Sequence, residues 1–202
     1  MPTSFFATAR STLLLAALAL SAAPEATASA QPAQPAQAAQ AAQAAPLATV
    51  QEVDIARYAG LWYEIAAIPM WFQRNCLGDT TARYTPNPDG TIDVLNRCRT
   101  SEGTNEAHGL ARIVDTQSTA RLEVSFFSIL GWRPVWGDYW IIALAPDYSW
   151  AVVGGPERRH GWILARTPAL ETATLATIHQ RLEELGYDPA SFVPTAQQAA
   201  PR

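Results

Sequence analysis

The chain has 202 residues, of which 49% are hydrophobic and 16% are charged, and these proportions are typical of one globular domain with tails. The formal net charge is −4 and all 14 basic residues are arginines, so the charge balance does not favour nucleic acid or an anionic membrane surface. We therefore expect no nucleic-acid partner.

The first 30 residues have the features of a secretory signal peptide. Arg10 closes a short polar start, an apolar run follows at residues 13–20, and Ala28-Ser29-Ala30 provides a cleavage site of small residues. The apolar run is too short to span a bilayer. These features predict an exported protein that is cleaved after Ala30.

Residues 31–50 consist largely of Gln, Ala and Pro. They contain too little large apolar surface to fold against anything, so we expect a disordered spacer. The globular domain is then predicted at residues 51–197, followed by a disordered tail at residues 198–202.

Strand-like runs recur at short intervals in the remaining chain and are separated by turn signals. The segment Pro86-Asn87-Pro88-Asp89-Gly90 is one such signal, because Asp-Gly tolerates the positive φ of hairpin turns. The eight predicted strands cover approximately residues 60–68, 78–85, 91–99, 108–115, 121–127, 138–144, 150–154 and 162–166. Eight antiparallel strands fit an all-β fold, a closed up-and-down β-barrel without free sheet edges.

One helix is predicted after the last strand. Its apolar stripe consists of Leu175, Ile178, Leu182 and Leu185. Gly186 provides a C-terminal cap. The opposite face carries Thr, Gln, Glu and one Arg rather than the basic face of a membrane-binding helix, so we expect this C-terminal α-helix to pack on the barrel wall. Phe192-Val193 could then add a short edge segment.

The two cysteines, Cys76 and Cys98, flank the predicted hairpin at residues 86–90. An even pair in an exported chain indicates a disulfide. It would close a loop of about 20 residues and contribute about 3 kcal/mol. A free nucleophilic cysteine is the competing interpretation.

The most specific pattern joins the two ends of the predicted barrel. First and last strands are neighbours in a closed sheet, so Arg166 could lie across the face of Trp62 and turn its donors to backbone carbonyls. Together with Gly60, Val124-Ser125-Phe126-Phe127 and Gly155-Pro156, this pattern resembles the lipocalin family over roughly residues 53–197. The resemblance is closest to the bacterial outer-membrane lipocalins, with apolipoprotein D as the related vertebrate branch.

The resemblance implies lipid carriage or storage in envelope maintenance, without covalent chemistry. It also implies that Gly60, Trp62 and Arg166 close the bottom of the barrel and do not touch the ligand. Many bacterial relatives carry a lipidated cysteine at the end of the signal, which this sequence does not show. We therefore expect a periplasmic or secreted protein, with outer-membrane association left open.

The lining of the barrel follows from alternation along the strands. With Trp62 and Arg166 inward, the first and last strands also turn Glu64, Ala66, Ile68, Trp162 and Leu164 inward. On the other strands the resemblance implies an inward set of Ala82, Tyr84, Ile92, Val94, Asn96, Leu122, Val124, Phe126, Tyr139, Ile141, Ala143, Ala151 and Val153. An apolar cup with three neutral polar groups, Tyr84, Asn96 and Tyr139, suits a fatty acid or lysophospholipid.

The mouth of the cup should be rimmed by Met70, Trp71, Phe72 and the loop at residues 130–136. Arg133 in that loop could meet a phosphate by forked hydrogen bonds. Exposed aromatic residues of this kind contact a ligand, a partner or a membrane, unless they plug the barrel end. Peripheral membrane contact, a monomer and a homodimer all remain open.

The leading hypothesis is therefore a carrier that binds a fatty acid or lysophospholipid, with no cofactor, no metal and no enzymatic activity. An enzyme acting on a bound lipid or isoprenoid is the alternative from another class, and a tetrapyrrole-binding lipocalin is a third. There is no Gly-x-Ser-x-Gly elbow, and the three histidines lack metal-ligand spacing. Glu64 could act as a catalytic carboxylate, but no second acid or histidine is predicted beside it.

Overall fold

The computed structural model describes residues 45–198, so the predicted signal peptide and most of the predicted spacer and tail lie outside the described part. The strands are β1 Gly60–Ala67, β2 Gly78–Pro86, β3 Ile92–Thr100, β4 Gly103–Ile113, β5 Arg121–Ser125, β6 Gly137–Leu144, β7 Trp150–Gly154, β8 Gly161–Ala165 and β9 Val193–Pro194. The α-helices are α1 Ile55–Tyr58 and α2 Thr172–Glu184, and single 3₁₀ turns lie at Trp71–Gln73 and Pro189–Ser191.

Strands β1 to β8 form a closed antiparallel barrel. Each strand pairs with the next along the chain, and β1 pairs with both β2 and β8, which closes the sheet. This confirms the predicted eight-stranded up-and-down β-barrel with one helix after it. The connections β1–β2, β3–β4, β5–β6 and β7–β8 lie at one end, which we call the mouth. Helix α1 and the other connections lie at the closed end.

Some elements of the structure differ from the predicted ones. Strand β4 begins at Gly103 rather than near residue 108, because the β3–β4 hairpin stays paired up to Thr100 and Gly103. Strand β5 ends at Ser125 rather than at residue 127. Helix α1 was not predicted, although Asp54 is a typical N-cap and accepts hydrogen bonds from the backbone N–H groups of Ala56 and Arg57.

Alternation along the strands sorts the apolar side chains into two clusters. One fills the barrel and includes Trp62, Leu122 and Ile141. The other lies between the barrel wall and α2, where Ile178 and Leu182 are fully buried. Helix α2 ends at Glu184, and Gly186 beyond it has φ +78° and forms the predicted C-terminal cap. The N–H of the next residue, Tyr187, donates to the carbonyl of Leu182.

Irregular strand pairing in β1 and β6 shows that three residues predicted to face the barrel interior face outward instead. The pairing of β1 with β8 shifts between Glu64 and Ala66, and that of β6 with β7 shifts between Ile141 and Ala143. A β-bulge inserts one residue into a strand and so reverses the alternation beyond it. Ala66, Ile68 and Ala143 therefore pack in the cluster under α2 and not inside the barrel.

The segment after β9 completes the barrel wall near the mouth. Beyond Tyr63 and Thr81 the pairing of β1 with β2 ends, and residues 195–198 lie between the two strands. The Thr195 N–H donates to the Ile65 carbonyl, and the Asp79 N–H donates to the Ala196 carbonyl at 2.7 Å. The amide of Gln197 donates to the carbonyls of both strands, at Glu64 and Thr80. The predicted edge segment is thus a wall element that β1 and β2 both hold.

Packed structure also begins inside the predicted spacer. Leu47 is buried in the cluster under α2, and the Val50 N–H donates to the Ile141 carbonyl. The Arg158 guanidinium donates to the Ala45 carbonyl. The spacer prediction was therefore wrong from Ala45 onward, because an isolated Leu in an Ala-rich segment gives no periodic signal. Within residues 45–198, no α-helix combines the length and the hydrophobicity that a membrane span requires.

Cys76 and Cys98 form the predicted disulfide, with their Cα atoms 5.6 Å apart. Both cysteines of the chain are thereby used, so the alternative of a free nucleophilic cysteine is wrong. The bond attaches the end of the β1–β2 connection to β3. It therefore holds one side of the mouth against the barrel wall.

Arg166 closes the other end. Its guanidinium carbon lies 3.8 Å from the centre of the Trp62 ring, and its nitrogens donate to the carbonyls of Arg57, Tyr58 and Leu61. The Trp62 indole N–H donates to the Tyr58 carbonyl as well. Gly60 has φ +94°, and a Cβ there would lie 3.6 Å from the Arg166 guanidinium. This arrangement seals the barrel beneath Trp62.

We expect Arg166→Lys to lower the free energy of unfolding by about 2–4 kcal/mol, because one ammonium cannot stack on the Trp62 ring as the planar guanidinium does and also reach the three carbonyls. Urea unfolding followed by tryptophan fluorescence measures the change. Arg159→Lys is the matched control, since Arg159 is exposed and pairs with Glu157 on the β7–β8 connection. Equal stability of the two variants would contradict the closing role of Arg166.

Candidate ligand-binding site

The barrel interior brings most of the predicted lining together. Buried inside it are Ala82, Tyr84, Ile92, Val94, Leu122, Ile141 and Val153, with Val124, Tyr139 and Trp162 packed against them. Asn96 lies on the same face of β3, opposite Ala82 on β2 and Ala107 on β4. The inner surface is therefore apolar, with neutral polar groups at a few positions.

The half of the interior nearer the closed end is almost full. A cavity of about 10 Å³ remains there, which is at the lower limit for holding one water molecule. It is lined by Ile55, Tyr58, Ala59, Tyr84, Pro86, Ile92, Val94, Ala111, Leu122, Val124 and Tyr139. An acyl chain that enters this half must displace side chains.

Three tyrosines form a hydrogen-bonded chain inside the barrel. The Tyr139 hydroxyl lies 2.8 Å from that of Tyr58 and 2.7 Å from that of Tyr84. Burial raises the pKa of all three hydroxyls, so they are neutral at physiological pH. Tyr58 was missed from the sequence because it precedes β1, and the cap at Asp54 was the signal that could have located it on α1.

A buried carboxylate lies nearer the mouth. Glu64 is 6% exposed, and its two oxygens accept hydrogen bonds from the Gln73 amide at 2.7 Å and the Thr195 hydroxyl at 2.6 Å. Within the described residues, no basic side chain forms an ion pair with it. Burial raises the pKa of Glu64, and the two hydrogen bonds offset part of that rise.

Gln73 links this carboxylate to the mouth. It ends the 3₁₀ turn that carries Trp71 and Phe72, and its side-chain oxygen also accepts a hydrogen bond from the Trp162 indole N–H. One polar network thus crosses the interior near the mouth, and it consists of Glu64, Gln73, Trp162 and Thr195. Sequence reasoning missed Gln73 and Thr195, because neither lies on a predicted barrel strand. Both carboxylate oxygens of Glu64 are occupied by structural donors, which leaves the catalytic interpretation without support from the geometry.

Exposed apolar side chains surround the mouth. On the β1–β2 connection Trp71 is 75% exposed and Phe72 is 50% exposed. Phe126 follows the end of β5, and its ring fills the space beside Gly109, where a Cβ would lie 2.7 Å from the ring. Arg133 donates to the Ser125 carbonyl at 2.8 Å, so at least one of its nitrogens is held by the loop itself.

The β5–β6 connection carries Leu130, the most exposed large hydrophobic side chain of the described residues. Ile129 and Trp132 pair with each other across a two-residue turn formed by Leu130 and Gly131, both at positive φ. Asn or Gly is favoured at such positions, and a leucine there is strained. Leu130 is nevertheless fully exposed and Trp132 is 67% exposed. The turn therefore displays apolar side chains at a conformational cost.

A family model for a lipocalin-like domain matches residues 53–197. The chain belongs to the lipocalin family. The predicted membership is thereby confirmed, and with it the expectation of a binding protein for small hydrophobic ligands. This lipocalin contains no group of three or more His, Cys, Asp or Glu side chains within residues 45–198 that could hold a metal ion.

Several named proteins are similar to this lipocalin. Temperature-induced lipocalin-1 of Arabidopsis thaliana is 39% identical over 77% of this chain and 85% of its own length. The outer membrane lipoprotein Blc of Vibrio cholerae is 35% identical over 74% and 85%, and apolipoprotein D of Mus musculus is 34% identical over 75% and 82%. Among solved structures, insecticyanin from the tobacco hornworm Manduca sexta superposes with a TM-score of 0.63 at 20% identity, over 76% of this chain and 86% of that one.

We expect the stability of this lipocalin to fall as the pH rises through the folded-state pKa of Glu64. That pKa is raised above the ordinary value of 4.5, so the folded protein binds the proton more tightly than the unfolded chain. The resulting stabilisation is fully present below the unfolded pKa and disappears at higher pH. Glu64→Gln should remove this part of the profile.

Urea unfolding at a series of pH values from about 4 to 8 measures both profiles. Glu157→Gln, at an exposed position of the β7–β8 connection, is the control. The exposed carboxyls of Asp89 and Asp115 have lowered pKa values because of hydrogen bonds, and their stabilising contribution is lost only as the pH falls below this window. Parallel profiles for the wild type and Glu64→Gln would refute the assignment.

Proposed function

We propose that this lipocalin binds a single-chain lipid, either a fatty acid or a lysophospholipid, for carriage or storage in envelope maintenance. The observation that carries the proposal is the apolar inner face of the barrel beneath a mouth ringed by exposed apolar side chains. An acyl chain gains about 0.8 kcal/mol for each CH₂ group it buries. The polar head would stay at the mouth, near Arg133.

The proposed location is the periplasm or the extracellular space. The signal-like residues 1–30 and the disulfide between Cys76 and Cys98 support export into an oxidising compartment. Similarity to an outer membrane lipoprotein supports a role in the envelope. We propose no cofactor and no enzymatic activity, since both oxygens of Glu64, the one carboxylate inside the barrel, accept hydrogen bonds from Gln73 and Thr195.

Tryptophan fluorescence tests the proposal directly, because Trp162 lies inside the barrel and Trp71 lies at its mouth. The mature chain from Gln31 should show saturable quenching by fatty acid or lysophospholipid at micromolar concentrations. Val124→Trp should weaken binding at least about tenfold, because the larger ring fills the interior.

Ile68→Val is the control variant, since Ile68 packs outside the barrel under α2. It should bind lipid as the wild type does. If a folded wild-type barrel, verified by circular dichroism, gives no saturable response to either lipid, the lipid proposal is wrong.

A second candidate function is contact between the mouth and a lipid surface, and the β5–β6 turn supports it. A strained leucine at full exposure next to an exposed tryptophan is unfavourable in water and favourable in a bilayer interface. Trp71 and Phe72 lie on another connection of the same end. The mouth could then receive lipid directly from the surface.

Flotation with vesicles of phosphatidylethanolamine and phosphatidylglycerol tests this contact. We expect Leu130→Ser with Trp132→Ser, or Trp71→Ala, to reduce the vesicle-bound fraction several-fold while the affinity for dissolved lipid is unchanged. Val114→Ser is the matched control, because Val114 is an exposed apolar residue at the closed end. Equal losses in the control and the mouth variants would argue against a surface contact through the mouth.

A further inference from the structure

The hydroxyl groups of Tyr58, Tyr84 and Tyr139 have three O–H donors but form only two hydrogen bonds with one another, so one donor is left unused. Three hydroxyls supply three donors, and the chain between them contains two hydrogen bonds. None of the three bonds any other group among the described residues. Whichever way the two bonds point, one buried O–H is left without an acceptor, and such a donor is costly to bury.

An unpaired acceptor faces the same interior. The Asn96 side-chain oxygen is buried and has no hydrogen-bond partner within residues 45–198. Asn96 lies opposite Ala82 on β2, and Tyr84 lies opposite Val94 on β3. The acceptor is thus two residues nearer the mouth than the tyrosine, about 7 Å along neighbouring strands on the same face of the sheet.

The charges inside the barrel determine which kind of ligand group could form hydrogen bonds with both the unused tyrosine O–H and the Asn96 side-chain oxygen. Arg166 directs its donors to backbone carbonyls at the closed end. The inward positions of β1 to β8 place no other basic side chain in the interior, and Glu64 is its one carboxylate. An anionic group between Tyr84 and Asn96 would lack a counter-ion, whereas an uncharged hydroxyl can accept from one and donate to the other.

We propose that Tyr84 and Asn96 form a polar subsite within the cup that binds a hydroxyl group on the chain of an otherwise apolar ligand. The proposal rests on the lipid-binding function and narrows its ligand class to hydroxylated lipids. The tyrosine chain positions the Tyr84 hydroxyl, and Asn96 supplies the acceptor. The carboxyl or phosphate head of the same lipid remains at the mouth.

Stearic acid and its 2-, 12- and 18-hydroxy derivatives are suitable probes, because they share one chain and one head. We expect at least one hydroxy acid to bind the wild type about three to ten times more tightly than stearic acid, the gain typical of one or two hydrogen bonds. Tyr84→Phe and Asn96→Leu should each bring that ratio to about one. Tyr63→Phe should keep it, because Tyr63 alternates with the inward Trp62 and Glu64 and so faces away from the interior.

The outcomes separate the two proposals. If the wild type binds all four acids with equal affinity, or if the ratio stays unchanged in Tyr84→Phe and in Asn96→Leu, the subsite is overturned while the lipid-binding function stands. If no acid binds a folded wild type, the lipid-binding function itself fails. Two variants on different strands keep the test decisive when one of them does not fold.

Discussion

The stacking of Arg166 on Trp62 is the contact on which the rest of the barrel depends. Arg166 directly follows β8, and its guanidinium donates hydrogen bonds to the carbonyls of Arg57, Tyr58 and Leu61 at the start of β1 and just before it. Arg166 lies more than 100 positions from each of these three residues in the chain, so the contact fixes the first strand against the last one. A planar group with five donors can stack on a ring and satisfy several carbonyls at once, which a lysine ammonium cannot do. The register of β1, and with it the position of Glu64, follows from this closure.

Because of the two β-bulges, strands β1 and β6 each contribute side chains both to the barrel interior and to the outer surface under α2. Before each bulge the alternation turns Trp62 and Ile141 into the barrel, and after it Ala66 and Ala143 face α2. A strand without the bulge would place these small residues inside and leave the helix without a surface to cover. The bulge in β1 also occurs where its pairing with β2 has ended and residues 195–198 enter the wall. The bulge in β1 therefore affects two features at once. It turns Ala66 toward α2, and it lies where the C-terminal segment enters the barrel wall near the mouth.

Sequence patterns predicted the regular parts of this molecule and failed at the irregular ones. Strand spacing, the Asp89-Gly90 turn and the cysteine pair follow local rules of alternation, turn chemistry and export, and these were sufficient for the barrel and the disulfide. Ala66 and Ala143 were misplaced because a bulge has no sequence signature in an apolar strand. Gln73 and Thr195 were missed because their roles arise only when distant segments meet at Glu64.

In the proposed function, an acyl chain meets the polar network of Glu64, Gln73 and Trp162 before it reaches the nearly full half of the interior at the closed end. Gln73 crosses the half nearer the mouth through two hydrogen bonds, to Glu64 and Trp162. Releasing both costs roughly 1–3 kcal/mol, whereas each CH₂ group that a ligand buries contributes about 0.8 kcal/mol. For the proposed acyl ligand, burial of a few CH₂ groups would therefore offset the movement of Gln73. Gln73 lies on the β1–β2 connection, which the disulfide at Cys76 holds at one side and the hydrogen bond to Glu64 holds at the other.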